Sequence, residues 1–136
     1  MLTSGDLYDR ASGGGVGVRW ADLGGRSGCY DDGERTITLN LCLTEEQTCS
    51  TMAHELSHAR WHDQTPADRR ARNRQEWRAD DEAAHMLIST AEYAVAEMIV
   101  GPDPGALADE LGVSRWVVEA WQADRDGRGL ARRIDD

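Results

Sequence analysis

The stretch Met52-Ala53-His54-Glu55-Leu56-Ser57-His58-Ala59 constrains this chain more than any other. An α-helix advances about 100° per residue, so histidines four apart leave the same face, offset by about 40°. Their ring nitrogens can then reach one zinc ion at about 2.0–2.1 Å each, with Glu55 beside a water on the open side. The plainer alternative is a helix with two surface histidines and a solvated glutamate. It loses ground because residues downstream fit the same site. Such a helix needs an anchoring face, and Cys49, Met52, Leu56 and Ala59 fall opposite the two histidines. Thr44-Glu45-Glu46-Gln47 is a capping box that starts it.

Upstream, residues 6–10 suggest a short helix ended by Ser12-Gly13-Gly14-Gly15. That glycine tract reads as a hinge or turn, since no helix with a lysine follows it as a phosphate loop requires. Val16, Val18 and Trp20 alternate as in a half-buried strand, broken at Gly24-Gly25. Cys29-Tyr30, the turn Asp31-Asp32-Gly33-Glu34 and the run from Thr36 to Leu41 suggest a hairpin, with Ile37, Leu39 and Leu41 facing the core. An antiparallel sheet of about three strands is therefore expected before the histidine helix.

Downstream, Thr65-Pro66 reads as an N-cap with proline at the first helical position, and residues 68–74 as a charged connection or short helix. A third helix is expected over residues 75–88, with Ala79, Ala83, Met86 and Leu87 inward. Ser89-Thr90-Ala91-Glu92 is a second capping box, opening a helix that stops at Gly101-Pro102. The run from Pro104 to Trp121 has the outline of a helix-turn-helix, with the turn on Leu111-Gly112-Val113 and a cap at Ser114. The expected division is a core over residues 1–100, packed C-terminal helices over 101–124, and a frayed tail over 125–136.

A hydrolytic zinc needs three protein ligands and one open position. His62 is poorly placed to be the third, because side chains at three successive four-residue steps of one helix span about 12 Å. Glu76 is the better candidate. On the third helix Glu76 and Asp80 share a face, whereas Asp81 and Glu82 are rotated well away and His85 points oppositely. One carboxylate can then bind the metal while Asp80 orients a ligand histidine through its other nitrogen.

Composition limits the alternatives. The 136 residues suffice for one domain, and a net charge of −10 argues against a large nucleic-acid surface or an anionic membrane partner. Six arginines between Arg60 and Arg78 are interleaved with acids, as on a solvated face. No apolar run approaches a membrane span and no charged-then-apolar leader opens the sequence, so the expected compartment is the cytoplasm. Cys29, Cys42 and Cys49 form no close pair and read as buried free thiols.

Taken together, the hairpin, the capping box, His54-Glu55-Leu56-Ser57-His58 and the run Glu76-Trp77-Arg78-Ala79-Asp80-Asp81-Glu82-Ala83-Ala84 resemble the ImmA/IrrE metallopeptidases. The likeness includes Gly28-Cys29-Tyr30-Asp31 and Thr36-Ile37-Thr38-Leu39-Asn40 upstream, and Leu107-Ala108 and Leu111-Gly112-Val113-Ser114 downstream. It implies an α+β, zincin-like fold of the gluzincin type, with a small antiparallel or mixed sheet and a helix-turn-helix-like end. It implies His54, His58 and Glu76 as zinc ligands and Glu55 as general base. It further implies a protein substrate, a transcriptional repressor encoded nearby in a phage or mobile element. Ser57 stands where the family usually has glycine, but three residues from His54 it faces away from the metal. Glu82 and His85 also depart from the family's usual residues.

Several points stay open at the level of sequence. Tyr30, His62, Arg78 and Tyr93 are all candidates to stabilise an oxyanion or contact substrate, and nothing in the sequence selects one. The strand over residues 37–41 is a candidate to hold substrate as an added strand. Two other functions compete with the protease: a non-catalytic zinc-containing regulator acting by protein binding, and a DNA-binding protein using the segment from Leu107 to Trp121. The second is disfavoured by Glu119 and Asp124 in its recognition helix.

Overall fold

The computed structural model describes residues 1–126. Among them are six helices and three strands: α1 Ser4–Gly13, β1 Gly17–Ala21, β2 Gly28–Asp31, β3 Thr36–Asn40, α2 Glu45–Arg60, α3 Arg69–Leu87, α4 Thr90–Val100, α5 Pro104–Leu111 and α6 Arg115–Arg125. α2 packs on both the sheet and α3, and α6 packs on α3. One apolar core joins all of these, from Leu7 on α1 through Ile37, Leu39 and Met52 to Ile88, Leu107, Val117 and Val118.

The sheet is mixed rather than wholly antiparallel. Its order is β1-β3-β2, with β3 parallel to β1 and antiparallel to β2. The hairpin of β2 and β3 forms as expected, but β3 inserts between β2 and β1. The connection over residues 22–27 must then cross the end of β3, and Asn40 holds it there by donating from Nδ2 to the carbonyls of Gly24 and Arg26 at 2.9 and 2.8 Å. Ile37 and Leu39 are fully buried, whereas Leu41 is 61% exposed because the strand ends one residue earlier. Trp20 is also exposed, while Val16 is buried just ahead of β1.

α2 begins at the capping box: Thr44 Oγ1 accepts from the Gln47 backbone, and the Gln47 side chain accepts from the Thr44 backbone. Cys49, Met52 and Ala59 are buried as the periodicity requires, with Leu56 packed at the edge of the core. Of the three cysteines only Cys49 is buried; Cys29 is half-buried and Cys42, in the turn after β3, is exposed.

α3 starts at Arg69, well before the expected boundary. Asp68, not Thr65, is the N-cap, and its side chain accepts from the Arg70 backbone. The residues from Arg69 to Arg74 have good helix propensity but no apolar period, so pattern alone does not reveal them as helix. Asp81, rotated away from the face of Glu76 and Asp80, is buried at 4% exposure on a helix that packs against both α2 and α6.

α4 is capped by Ser89 and Glu92 and stops at Gly101, whose φ of 80° favours glycine. Tyr93 and Ala96 are buried, while Val95, Met98 and Ile99 face solvent. α5 and α6 are joined by Gly112-Val113-Ser114, with Gly112 left-handed. Ser114 occupies the N-cap position but makes no side-chain capping bond. Its backbone N–H donates instead to Ser50 Oγ on α2 at 3.0 Å, docking the turn onto the central helix. Trp121 stacks on Tyr93 with centroids 4.0 Å apart and donates to the Ile88 carbonyl. α6 continues through Arg125, past the start of the expected tail; residues 127–136 of that tail lie outside the described residues. No helix among the described residues is long and apolar enough to cross a membrane.

Candidate metal centre

His54 and His58 leave α2 toward a cleft of about 580 Å³, with Arg26, Thr51, Glu55, Glu76 and Trp116 among its walls. Their Nε2 atoms are 3.2 Å apart. Across the cleft, α3 places Glu76 so that its two oxygens lie 3.0 Å from His54 Nε2 and 3.1 Å from His58 Nε2. Among the described residues these three form the one group of histidine, cysteine and carboxylate side chains suited to hold a metal ion.

The opposite edge of each imidazole is also held. His54 Nδ1 donates to Asp80 Oδ1 at 2.9 Å, and His58 Nδ1 donates to Asp63 Oδ2 at 2.9 Å. A carboxylate only accepts, so each Nδ1 carries the hydrogen and each neutral ring turns a bare Nε2 lone pair inward. Two such lone pairs and a carboxylate converging within 3.2 Å repel one another unless a cation lies among them. Tetrahedral coordination at about 2.05 Å would set the two nitrogens about 3.3–3.4 Å apart. The spacing and the donor set, two imidazoles and a carboxylate, therefore fit a small divalent ion.

Burial works to lower the pKa of His54, but the Asp80 and Glu76 carboxylates outweigh it and raise it to about 10. His58 is raised in the same way, by Glu76 and Asp63 against its burial. The hydrogen bonds from both histidines hold Glu76 well below the usual carboxylate range. Glu55, 6% exposed, moves the other way: burial raises it, with the two histidine charges in opposition. A carboxyl raised toward neutrality suits a group that takes up and returns a proton.

The remaining candidates separate clearly. Tyr30 lines the cleft, but its hydroxyl donates to Asp32 at 2.6 Å and accepts from Arg35 at 2.7 Å. His62 does not line it; its ring is solvent-facing and bonded to Asp32. Tyr93 is buried against Trp121 on α6, outside the cleft wall. Arg78 pairs with Asp63 and stacks over Trp61, and it too is outside the wall. Ser57 is outside the cleft wall and donates to Glu82 at 2.7 Å. Two residues escaped the sequence: Asp63, for want of helical spacing to His58, and Trp116, whose ring meets His54 edge-on at 5.9 Å.

A search of curated proteins gives no match. A peptidase family model, described as the IrrE N-terminal-like domain, matches residues 16–120, from the residue before β1 into α6. That span includes both histidines, Glu55, Glu76 and their carboxylate partners, and the chain accordingly belongs to the ImmA/IrrE metallopeptidase family.

Proposed function

We propose that this protein is a zinc-dependent endopeptidase that hydrolyses a peptide bond in a partner protein, a transcriptional repressor of a phage or mobile element. The observation that carries this reading is the convergence of His54 Nε2, His58 Nε2 and one Glu76 oxygen within 4.8 Å, beside buried Glu55 and on the wall of an open cleft. Three ligands facing a cleft leave a fourth position for water, whereas a purely structural zinc is closed by four. That favours the peptidase over a non-catalytic zinc-containing regulator.

When bound, zinc would polarise the scissile carbonyl and make a water acidic near pH 7. His54, His58 and Glu76 would hold it, with Asp80 fixing the ring of His54. Glu55 takes the proton of the attacking water as the oxygen bonds to the carbonyl carbon. It then delivers that proton to the departing amine nitrogen as the C–N bond breaks.

The substrate strand belongs on β2 rather than on the strand over residues 37–41. β3 is paired on both sides, while β2 is an edge strand whose residues Gly28, Cys29 and Tyr30 line the cleft. Main-chain bonds to that edge would hold a substrate with little demand on its sequence, leaving specificity to protein docking. α6 commits Val117, Val118 and Trp121 to the core and Trp116 to the cleft, which favours shaping the cleft over reading DNA.

The test is incubation of the purified, zinc-loaded protein with the repressor encoded beside it. Fragments are expected, and they should disappear with a chelator and with Glu55→Gln. A Glu55→Gln protein that keeps its zinc and cleaves as well as wild type would remove Glu55 from the mechanism.

A further inference from the structure

We propose that Asp63, clamped by Arg78, is the positioning residue for the ligand His58, as Asp80 is for His54. The inference rests on the zinc-site reading above and assigns two residues beyond it. After Arg60 the chain turns back on itself, because Trp61 ends α2 and His62 takes a left-handed φ of 53°. The turn brings Asp63 over the last turn of the helix that bears His58. Its backbone N–H donates to the His58 carbonyl at 2.9 Å, and its carboxylate accepts from His58 Nδ1 at 2.9 Å. Backbone and ring of one ligand are thus tied to one residue. Both side chains of the pair are only 10% exposed, against 34% for Asp80, so this carboxylate is the better shielded of the two.

A buried carboxylate needs a countercharge, and α3 supplies it. Arg78 pairs with the same oxygen, Oδ2, that accepts from His58. Its guanidinium carbon also lies 5.4 Å from the centre of the Trp61 ring. Trp61 is pinned in turn, because its Nε1 donates to Glu82 at 2.8 Å, and Glu82 also accepts from Ser57. α3 therefore reaches His58 through Arg78 and Asp63 while it presents Glu76 directly to the same ring. Fixing the Nδ1 hydrogen leaves the Nε2 lone pair free and aimed into the cleft, and a carboxylate partner makes that lone pair more basic.

Zinc affinity measured by competition with a chromophoric chelator, together with ¹⁵N-edited NMR of the histidine rings, tests the assignment. Asp63→Asn is expected to weaken zinc binding about 10- to 100-fold, and Arg78→Gln to weaken it by less. In zinc-loaded Asp63→Asn the Nδ1–H signal of His58 should move while that of His54 stays; Asp80→Asn should do the reverse. A general loosening of the fold would move both. An Asp63→Asn protein with wild-type affinity and an unmoved His58 signal overturns the proposal. Should that variant not fold, the wild type decides: a His58 Nδ1 proton protected from water supports the role. One that exchanges as fast as the ring of the half-exposed His85 overturns it. Wild-type protein that takes up no zinc would refute the metal reading itself, and this inference with it.

Discussion

Replacing Gly28 by alanine tests how tightly β2 is pressed against α2, the helix of His54 and His58. A Cβ at Gly28 would lie 2.7 Å from Thr51 Cγ2 and 3.0 Å from the Thr38 carbonyl oxygen. Ordinary carbon contacts sit at about 3.5–4.0 Å, so the methyl group arrives roughly 1 Å too close. Neither neighbour yields easily. Thr51 is β-branched on a helix and has few rotamers, while the Thr38 oxygen belongs to the central strand. Relief must come from moving β2, and overpacking of this kind costs about 1–3 kcal/mol. A two-state domain of 136 residues unfolds with an entropy of about 0.29 kcal/mol/K, so the melting temperature should fall by about 3–10 °C. Thr51→Ala removes the closer contact. It should destabilise the wild type yet recover about 1 kcal/mol or more in the Gly28→Ala background, a coupling readable from a double-mutant cycle of thermal or urea melts. If Gly28→Ala melts with the wild type, or Thr51→Ala costs the same in both backgrounds, the strand is not packed as described.

Three further outcomes follow from the same geometry. Zinc at about 100 times its dissociation constant should add about 2.7 kcal/mol, near 9 °C in melting temperature; a chelator should reverse the shift and Glu76→Gln should lose most of it, so an equal shift in that variant would exclude Glu76 as a ligand. Burial, reinforced by Glu45, pushes the Cys49 thiol from 9.0 up to about 11, so its neutral form stabilises the fold fully below pH 9 and that contribution is lost as pH rises through 11. The gap in melting temperature between wild type and Cys49→Ala should narrow from pH 8 to pH 11, and a widening gap would refute the sign; at pH 8 a thiol reagent should label exposed Cys42 well before Cys49. Tyr93→Phe keeps the stack on Trp121 but removes a hydroxyl that accepts from Gln122 and Arg125, so about 1 kcal/mol of stability should go with no change in peptide cleavage; a selective loss of turnover would return Tyr93 to the site.

Local rules carried the sequence a long way. The capping boxes at Thr44 and Ser89 start helices where they should, because a cap is satisfied by backbone groups within three residues. The shared helical face of His54 and His58, and that of Glu76 and Asp80, follow from helix geometry alone. What only tertiary structure decided depends on which element lies beside which. β3 slid between β1 and β2, which made the sheet mixed and left β2 as the free edge on the cleft. α6 came down on α3, bringing Trp116 to His54. The turn at His62 folded Asp63 back onto His58, packing of α3 on α2 gave Arg78 to that carboxylate, and the stack on Trp121 of α6 held Tyr93 in the core. Residue spacing encodes a face along one helix, but a contact across elements exists only once the hydrophobic core has chosen their neighbours.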